Sequence, residues 1–304
     1  MITTALLSLA LVGAAQPSTQ GGGGADEPAL SGYFGPRIRT QDSADPLSLD
    51  AARLRLFVPT EHAFVQLELE TVGDAPDFLD AHLGTELRGM TAILGRFETP
   101  LTRSRMIERE RLVFWDRSLV GDTSGWLDGF QLSGRGQRLD WWFSLQDGLN
   151  PGSEGLMGTA RVAVHLIGGG VGEATEGVWG APETPTLTIA GAFQDDSSFA
   201  GGRRAAFEAF WTYDNMSAAF EVLDNDADVG DSSPWSASMT YLVAPRVETG
   251  LRLEDDELQE RLTVALTRYQ QTRSSRWSVE LGRVDEGGAA DSSTLLQAGV
   301  SFSF

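Results

Sequence analysis

Five arginines, Arg103, Arg105, Arg109, Arg111 and Arg117, are crowded into a short stretch with Glu108, Glu110 and Asp116 between them. A guanidinium keeps its charge at any working pH and grips phosphate or carboxylate through two parallel hydrogen bonds. Around a confined passage, such a cluster would set up a field that sorts charged solutes. Against a wall, the same charges would pair with one another and simply hold a loop in place. Spacing alone leaves both open.

Other reactive residue types are scattered. His62, His82 and His165 lie in three separate segments, and the chain has neither an HExxH pair, a GxSxG elbow nor a P-loop. Asp224, Asp226, Asp228 and Asp231 approach the spacing of a calcium loop, but Gly230 comes one position late and Trp235 stands where the bidentate glutamate belongs. A solvated acidic loop accounts for them. Cysteine is absent, which excludes disulfides, thiolate metal sites and a cysteine nucleophile. No catalytic residue, metal site or cofactor is expected.

The 304 residues carry a net charge of -20, and all 23 basic side chains are arginine. Nucleic-acid binders are normally basic, so that class of partner is set aside. Residues 5–15 form an apolar core followed by small residues, so 1–15 reads as a signal peptide. Residues 16–29, with four consecutive glycines from Gly21, read as a flexible linker. Beyond them no run reaches the roughly 18 apolar residues of a spanning helix. A membrane span in 30–304 would have to be a closed set of strands, because lipid leaves no partner for open backbone groups.

From Gly32 onward the apolar period is two. Leu54, Leu56 and Val58 alternate with Arg53, Arg55 and Phe57; Ala160, Val162, Val164 and Leu166 alternate with Arg161, Ala163 and His165. The pattern predicts about sixteen strands. Short connections at 59–61, 88–89, 134–137, 214–215 and 244–245 interleave with long ones at 40–49, 98–126, 194–203, 224–233 and 285–293. That is the rhythm of a membrane barrel, with tight turns at one end and long loops at the other. Two places break it: 168–185 is long where a turn is due, and 255–258 is short where a loop is due. The last strand alternates Leu296, Ala298, Val300 and Phe302 with Gln297, Gly299 and Ser301, and it stops on Phe304.

On this pattern Arg39, Arg53, Arg55, Arg96, Arg161 and Arg252 fall on the polar, lumen-facing sides of their strands. They would form an anion ladder, or be balanced by Glu68, Glu70, Glu208, Glu221, Glu248 and Glu280 on the same faces. The net charge weighs toward balance. Trp141, Trp211, Trp235, Trp277, Tyr213 and Tyr241 fall near strand ends or on apolar faces, where they suit interfacial girdles.

Several segments, in order, resemble the phosphate-selective porins O and P. They are Gly95-Arg96-Phe97-Glu98-Thr99-Pro100, Phe114-Trp115-Asp116-Arg117-Ser118-Leu119, Asp128-Gly129-Phe130-Gln131-Leu132-Ser133-Gly134, the stretch 141–148 and Ala160-Arg161-Val162. The hairpin 207–221, Tyr241-Leu242 and the strand of Arg252 also match. The resemblance implies an all-β, transmembrane antiparallel β-barrel of sixteen strands, a homotrimer, and a pore narrowed by a long inward third loop. It does not carry over phosphate selectivity, because the selective members also use lysine and this chain has none.

The expectation is a passive channel for small hydrophilic solutes or ions, anions such as phosphate included, in the outer membrane of a diderm bacterium. Its partners would be outer-membrane lipid, copies of itself and solutes in transit. Arg103, Arg105, Arg109, Arg111, Arg117, Glu108 and Glu110 would form the constriction, with Arg53, Arg55, Arg96, Arg161 and Arg252 along the lumen. Two rivals remain: a secreted soluble all-β protein with its apolar faces inside, and an outer-membrane hydrolase with a Ser–His pair on the barrel wall.

Overall fold

The computed structural model describes residues 28–40, 47–71, 76–122, 125–150, 154–170, 175–199, 202–226, 232–270, 275–286 and 292–303. Residues 1–27, which hold the signal segment and most of the linker, and Phe304 lie outside them, as do Asp228 and Asp231; Ala29, read as the last linker residue, opens the first strand.

Among the described residues the alternating segments form sixteen strands. These are β1 (Ala29–Arg39), β2 (Leu47–Pro59), β3 (Phe64–Glu70), β4 (Asp77–Leu87), β5 (Met90–Glu98), β6 (Trp126–Arg135), β7 (Leu139–Asp147) and β8 (Leu156–Ile167). Then follow β9 (Thr186–Asp196), β10 (Gly202–Tyr213), β11 (Met216–Asp226), β12 (Trp235–Ala244), β13 (Val247–Asp255), β14 (Gln259–Tyr269), β15 (Arg276–Glu286) and β16 (Ser292–Ser303). Each strand pairs with the next in sequence, and β1 pairs antiparallel with β16 to close the barrel. No edge is left with open backbone groups, which is the condition for crossing lipid with strands.

The two faces of the wall are opposite in character. Leu94, Leu281 and Leu83 point outward and are 62%, 56% and 52% exposed, whereas Glu68, Arg252 and Glu248 point inward and are 3%, 1% and 0% exposed. A soluble protein would bury the leucines. The soluble rival required apolar faces inside, and the barrel turns them out, as a lipid-embedded wall does.

Turn chemistry sets the register. Arg88 and Gly89 both have positive φ, 52° and 82°, the type I′ geometry whose twist matches a right-twisted hairpin. The first and last described residues, Pro28 and Ser303, and the tight turns at 88–89, 214–215 and 245–246 share one end of the barrel, called here the turn end; the other, the loop end, also holds the short connection 256–258. Trp141, Trp211, Tyr213, Tyr241 and Trp277 sit in the turn-end parts of their strands, while Trp235 opens β12 at the loop end.

Two connections leave this scheme. The third loop-end connection, after β5, carries a short helix α1 (Arg103–Met106) and a single 3-10 turn at Arg109–Arg111. The connection between β8 and β9, at the turn end, also runs long. The described parts of both, 99–122 and 175–179, meet inside the lumen.

Candidate functional site

The inward loop after β5 is apolar on one side and polar on the other. Leu101, Ile107, Leu112, Val113, Phe114 and Val120 are completely buried although they lie inside a barrel with a polar inner face. The wall receives them with small residues. Leu101 and Val120 pack on Ala192 and Ala206, and Val113 and Phe114 pack on Ala265. A Cβ at Gly250 would come within 2.8 Å of the Phe114 ring, and one at Gly299 would overlap the Trp115 ring.

A loop in the lumen has no strand to satisfy its backbone, and buried N–H groups need partners. Wall carboxylates supply them. The N–H of Arg103 donates to Glu208 (2.6 Å), that of Ser104 to Glu221 (2.8 Å) and that of Leu119 to Glu254 (2.8 Å), while Trp115 donates to Glu280. Wall arginines take the carbonyls. Arg161 donates to Leu101 (3.2 Å), Arg276 to Phe114 (3.3 Å), and Arg252 to Asp116 (3.0 Å) and Arg117 (3.3 Å).

This corrects the expectation for Arg161 and Arg252. They do point into the lumen, but the loop fills that side, so they meet protein instead of water. Arg161 also pairs with Glu208 at 2.6 Å, and Arg252 with Glu254 at 2.9 Å. Arg103 belongs to the same anchored group: its guanidinium lies 3.6 Å from the centre of the Phe210 ring and donates to the Thr175 carbonyl. The cavity lined by Arg103, Arg161, Glu208 and Phe210 holds only about 10 Å³, room for about one water.

The other side is open. A cavity of about 310 Å³ lies between the loop and the loop-end parts of β1, β2, β3, β6 and β14. Arg39, Arg53, Arg105, Arg109, Arg117 and Arg261 line it together with Glu70, Asp116 and Asp122; Ser118, Leu119 and Trp126 complete it. Six arginines against three carboxylates leave a surplus of three positive charges, inside a chain whose net charge is -20.

The arginines are held in place. Arg53 bonds Glu70 at 3.0 Å and Glu68 at 3.4 Å; Arg105 bonds Glu98 at 2.8 Å with its guanidinium 4.3 Å from the Trp126 ring centre. Arg117 donates to the carbonyls of Ser104 (2.5 Å), Arg105 (2.6 Å) and Ile107 (2.7 Å), so one guanidinium sets the curve of the loop. Asp116 crosses to Arg37 at 2.7 Å. Burial alone would raise the Asp116 carboxyl, but the Arg37 charge and hydrogen bond outweigh it and bring the pKa to about 2.

Glu108 bridges loop and wall, bonding Arg55 at 2.7 Å and Arg111 at 3.0 Å. Burial opposes its charge, yet Arg55 and Arg111 draw its pKa below the usual glutamate value. Glu110 goes the other way: burial, then the Glu108 charge, hold its carboxyl above that value. Arg96 follows Gly95 on β5, whose φ of 126° interrupts the alternation, so parity does not assign its face; it is half-buried.

The structure therefore brings together Arg53, Arg105, Arg109 and Arg117 on the loop's open side, with Glu108 joined to Arg55 and Arg111 and Glu110 near Glu108 and Arg55. It separates Arg103, Arg161 and Arg252 as anchors. Sequence reasoning missed Arg37, Glu98, Trp126 and Arg261 as members, because each lies near a strand end where face assignment depends on the neighbouring loop. It also missed Glu176, whose signal was the unexpected length of 168–185.

His165 is the histidine with a hydroxyl and a carboxylate beside it. Its Nδ1 lies 2.9 Å from Thr188 Oγ1 and its Nε2 lies 3.2 Å from Asp140, a hydroxyl–imidazole–carboxylate line on the wall. Yet the His165 side chain is 0% exposed, and a Cβ on Gly170 would overlap its ring. No substrate can reach that hydroxyl-bearing line. Among the described residues no group of three acidic or histidine side chains is placed to hold a metal ion.

A closed sixteen-stranded barrel with a loop folded into its lumen is the architecture of known porins. A mutant of Rh. blastica porin aligns over 91% of this chain and 100% of its own, at 15% identity and a TM-score of 0.64. A loop-deletion mutant of OmpT, an outer membrane protein of Vibrio cholerae, covers 91% of this chain and 99% of its own, at 12% identity and a TM-score of 0.61. This chain has the porin fold. No family model matches the sequence, and no curated protein matches it.

Proposed function

We propose that this chain is a porin of the outer membrane of a diderm bacterium, a passive channel for small hydrophilic solutes with a preference for anions. The observation that carries the reading is the arginine-walled cavity beside the inward loop, within a barrel whose apolar face is outside. The overall charge is negative, but a solute in the cavity responds to charges within about 8–10 Å, the screening length at moderate salt. At the cavity wall itself six arginines face three carboxylates.

Phosphate and small carboxylates are the anions that the paired donors of a guanidinium fit best. The residue pattern shared with the phosphate-selective porins agrees with phosphate as one such solute. Transfer is diffusive and needs no catalysis and no cofactor. Like the porins it resembles, the chain would assemble as a homotrimer in lipid.

Purified, detergent-refolded protein in a planar bilayer tests this directly. Stable ohmic steps, with a reversal potential of anion-selective sign in a salt gradient, are expected. Stable steps of cation-selective sign would remove the anion preference. Folded barrel that inserts and never conducts would remove the channel. Cross-linking in mild detergent checks the trimer.

A further inference from the structure

The 168–185 connection leaves the turn end and returns to it, yet its middle rises into the lumen and meets the loop that descends from the opposite mouth. We infer that residues 175–179 form a second constricting element, locked to the inward loop by Glu176; this rests on the chain being a channel.

The lock is specific. The Glu176 carboxylate accepts the backbone N–H of Val113 at 2.5 Å and of Phe114 at 3.2 Å, and it lies 3.5 Å from Arg252. The Thr175 carbonyl takes the Arg103 guanidinium. One carboxylate thus satisfies two donors of the inward loop where that loop has no strand partner.

The wall holds the segment as tightly. Glu248 on β13 accepts the N–H of Val178 at 2.6 Å and of Trp179 at 3.3 Å. Trp179 stacks on Tyr269 with ring centres 5.8 Å apart and planes 14° from parallel, and the Tyr269 hydroxyl donates to the same Glu248 at 2.9 Å. A Cβ on Gly177 would overlap both Glu248 and Val113, so the backbone passes where no larger residue fits.

Two consequences separate this element from an ordinary long turn. It narrows the path from the turn end, so the pore has a constriction with two layers contributed from opposite mouths. It also props the inward loop at its deepest point, Val113-Phe114, and so fixes how far that loop stands from the arginine side.

The test compares three chains in the same bilayer: the native chain, one in which 168–185 is replaced by a two-residue Asn-Gly turn, and Glu176→Gln. Heat-modifiable electrophoretic mobility checks that each barrel is folded. The shortened chain should conduct about twofold or more above the native chain, since conduction follows the free section of the pore. Glu176→Gln keeps the size of the side chain but weakens the lock, and it should add brief excursions to a higher level.

Native steps with no change in either variant would overturn the inference and leave the channel standing. A silent native chain beside a conducting shortened chain would support the second element and show the native pore to be shut. Silence from all three folded barrels would overturn both. If the shortened chain does not fold, Glu176→Gln decides alone: excursions support the lock, and steps identical to native overturn it.

Discussion

Arg117 shows how one side chain can shape a passage without facing it alone. Its guanidinium gathers three carbonyls of its own loop and also borders the cavity. Arg117→Ala leaves those carbonyls without a donor in a confined space, at about 1 kcal/mol each. The expected outcome is a loop that is cut by protease in the folded barrel and a noisier channel, with the barrel itself still closed. Glu110 and Glu108 offer a second residue-scale test. Glu110 is held above the usual glutamate pKa and Glu108 below it. As pH falls from 7, Glu110 therefore gains its proton before Glu108 and Asp116, and the constriction loses negative charge while its arginines keep theirs. Anion preference should rise on acidification, read from the reversal potential, and Glu110→Gln should weaken that dependence.

At the scale of elements, strands were legible and inward segments were not. Alternation and turn residues are local, so β5, β9, β11 and β14 begin directly after the expected connections 88–89, 168–185, 214–215 and 255–258. The backbone departs from regular pleating at Gly95, before Arg96, and at the register shift beside Glu68 and Leu69, and there parity alone does not assign a face. Arg161 and Arg252 contact the inward loop, and whether an inward residue meets water depends on what else fills the lumen. That is a long-range fact: Arg252 and the Asp116 carbonyl are 136 positions apart. The small residues of the wall were the available trace. Gly250 is the seat for Phe114, so Gly250→Ala should force the ring to shift at about 1–3 kcal/mol, the usual cost of overpacking. Urea unfolding of the barrel in lipid vesicles measures it.

For the whole molecule, the sign of the net charge and the sign of the cavity disagree. The chain as a whole carries -20, while the lining of the cavity holds a surplus of arginine. Screening separates the two contributions. At about 1 M salt the screening length falls to about 3 Å, so remote acids cease to matter and only charges at the cavity wall act on a passing ion. Anion preference should then shrink with salt but keep its sign; a reversal of sign at low salt would show the surface acids governing access.

The closure of β1 on β16 has a bearing on assembly. The first strand finds its second partner only after the last has been made, and the inward loop finds its ligands even later than its own strands do. Trp115 waits for Glu280, 165 positions downstream, and Asp116 waits for Gln297, 181 downstream. Contacts that distant are slow to form and leave the unpaired intermediate prone to aggregation. The nascent chain must be kept apart from its neighbours until β16 arrives, and its narrowest part is the last to take shape.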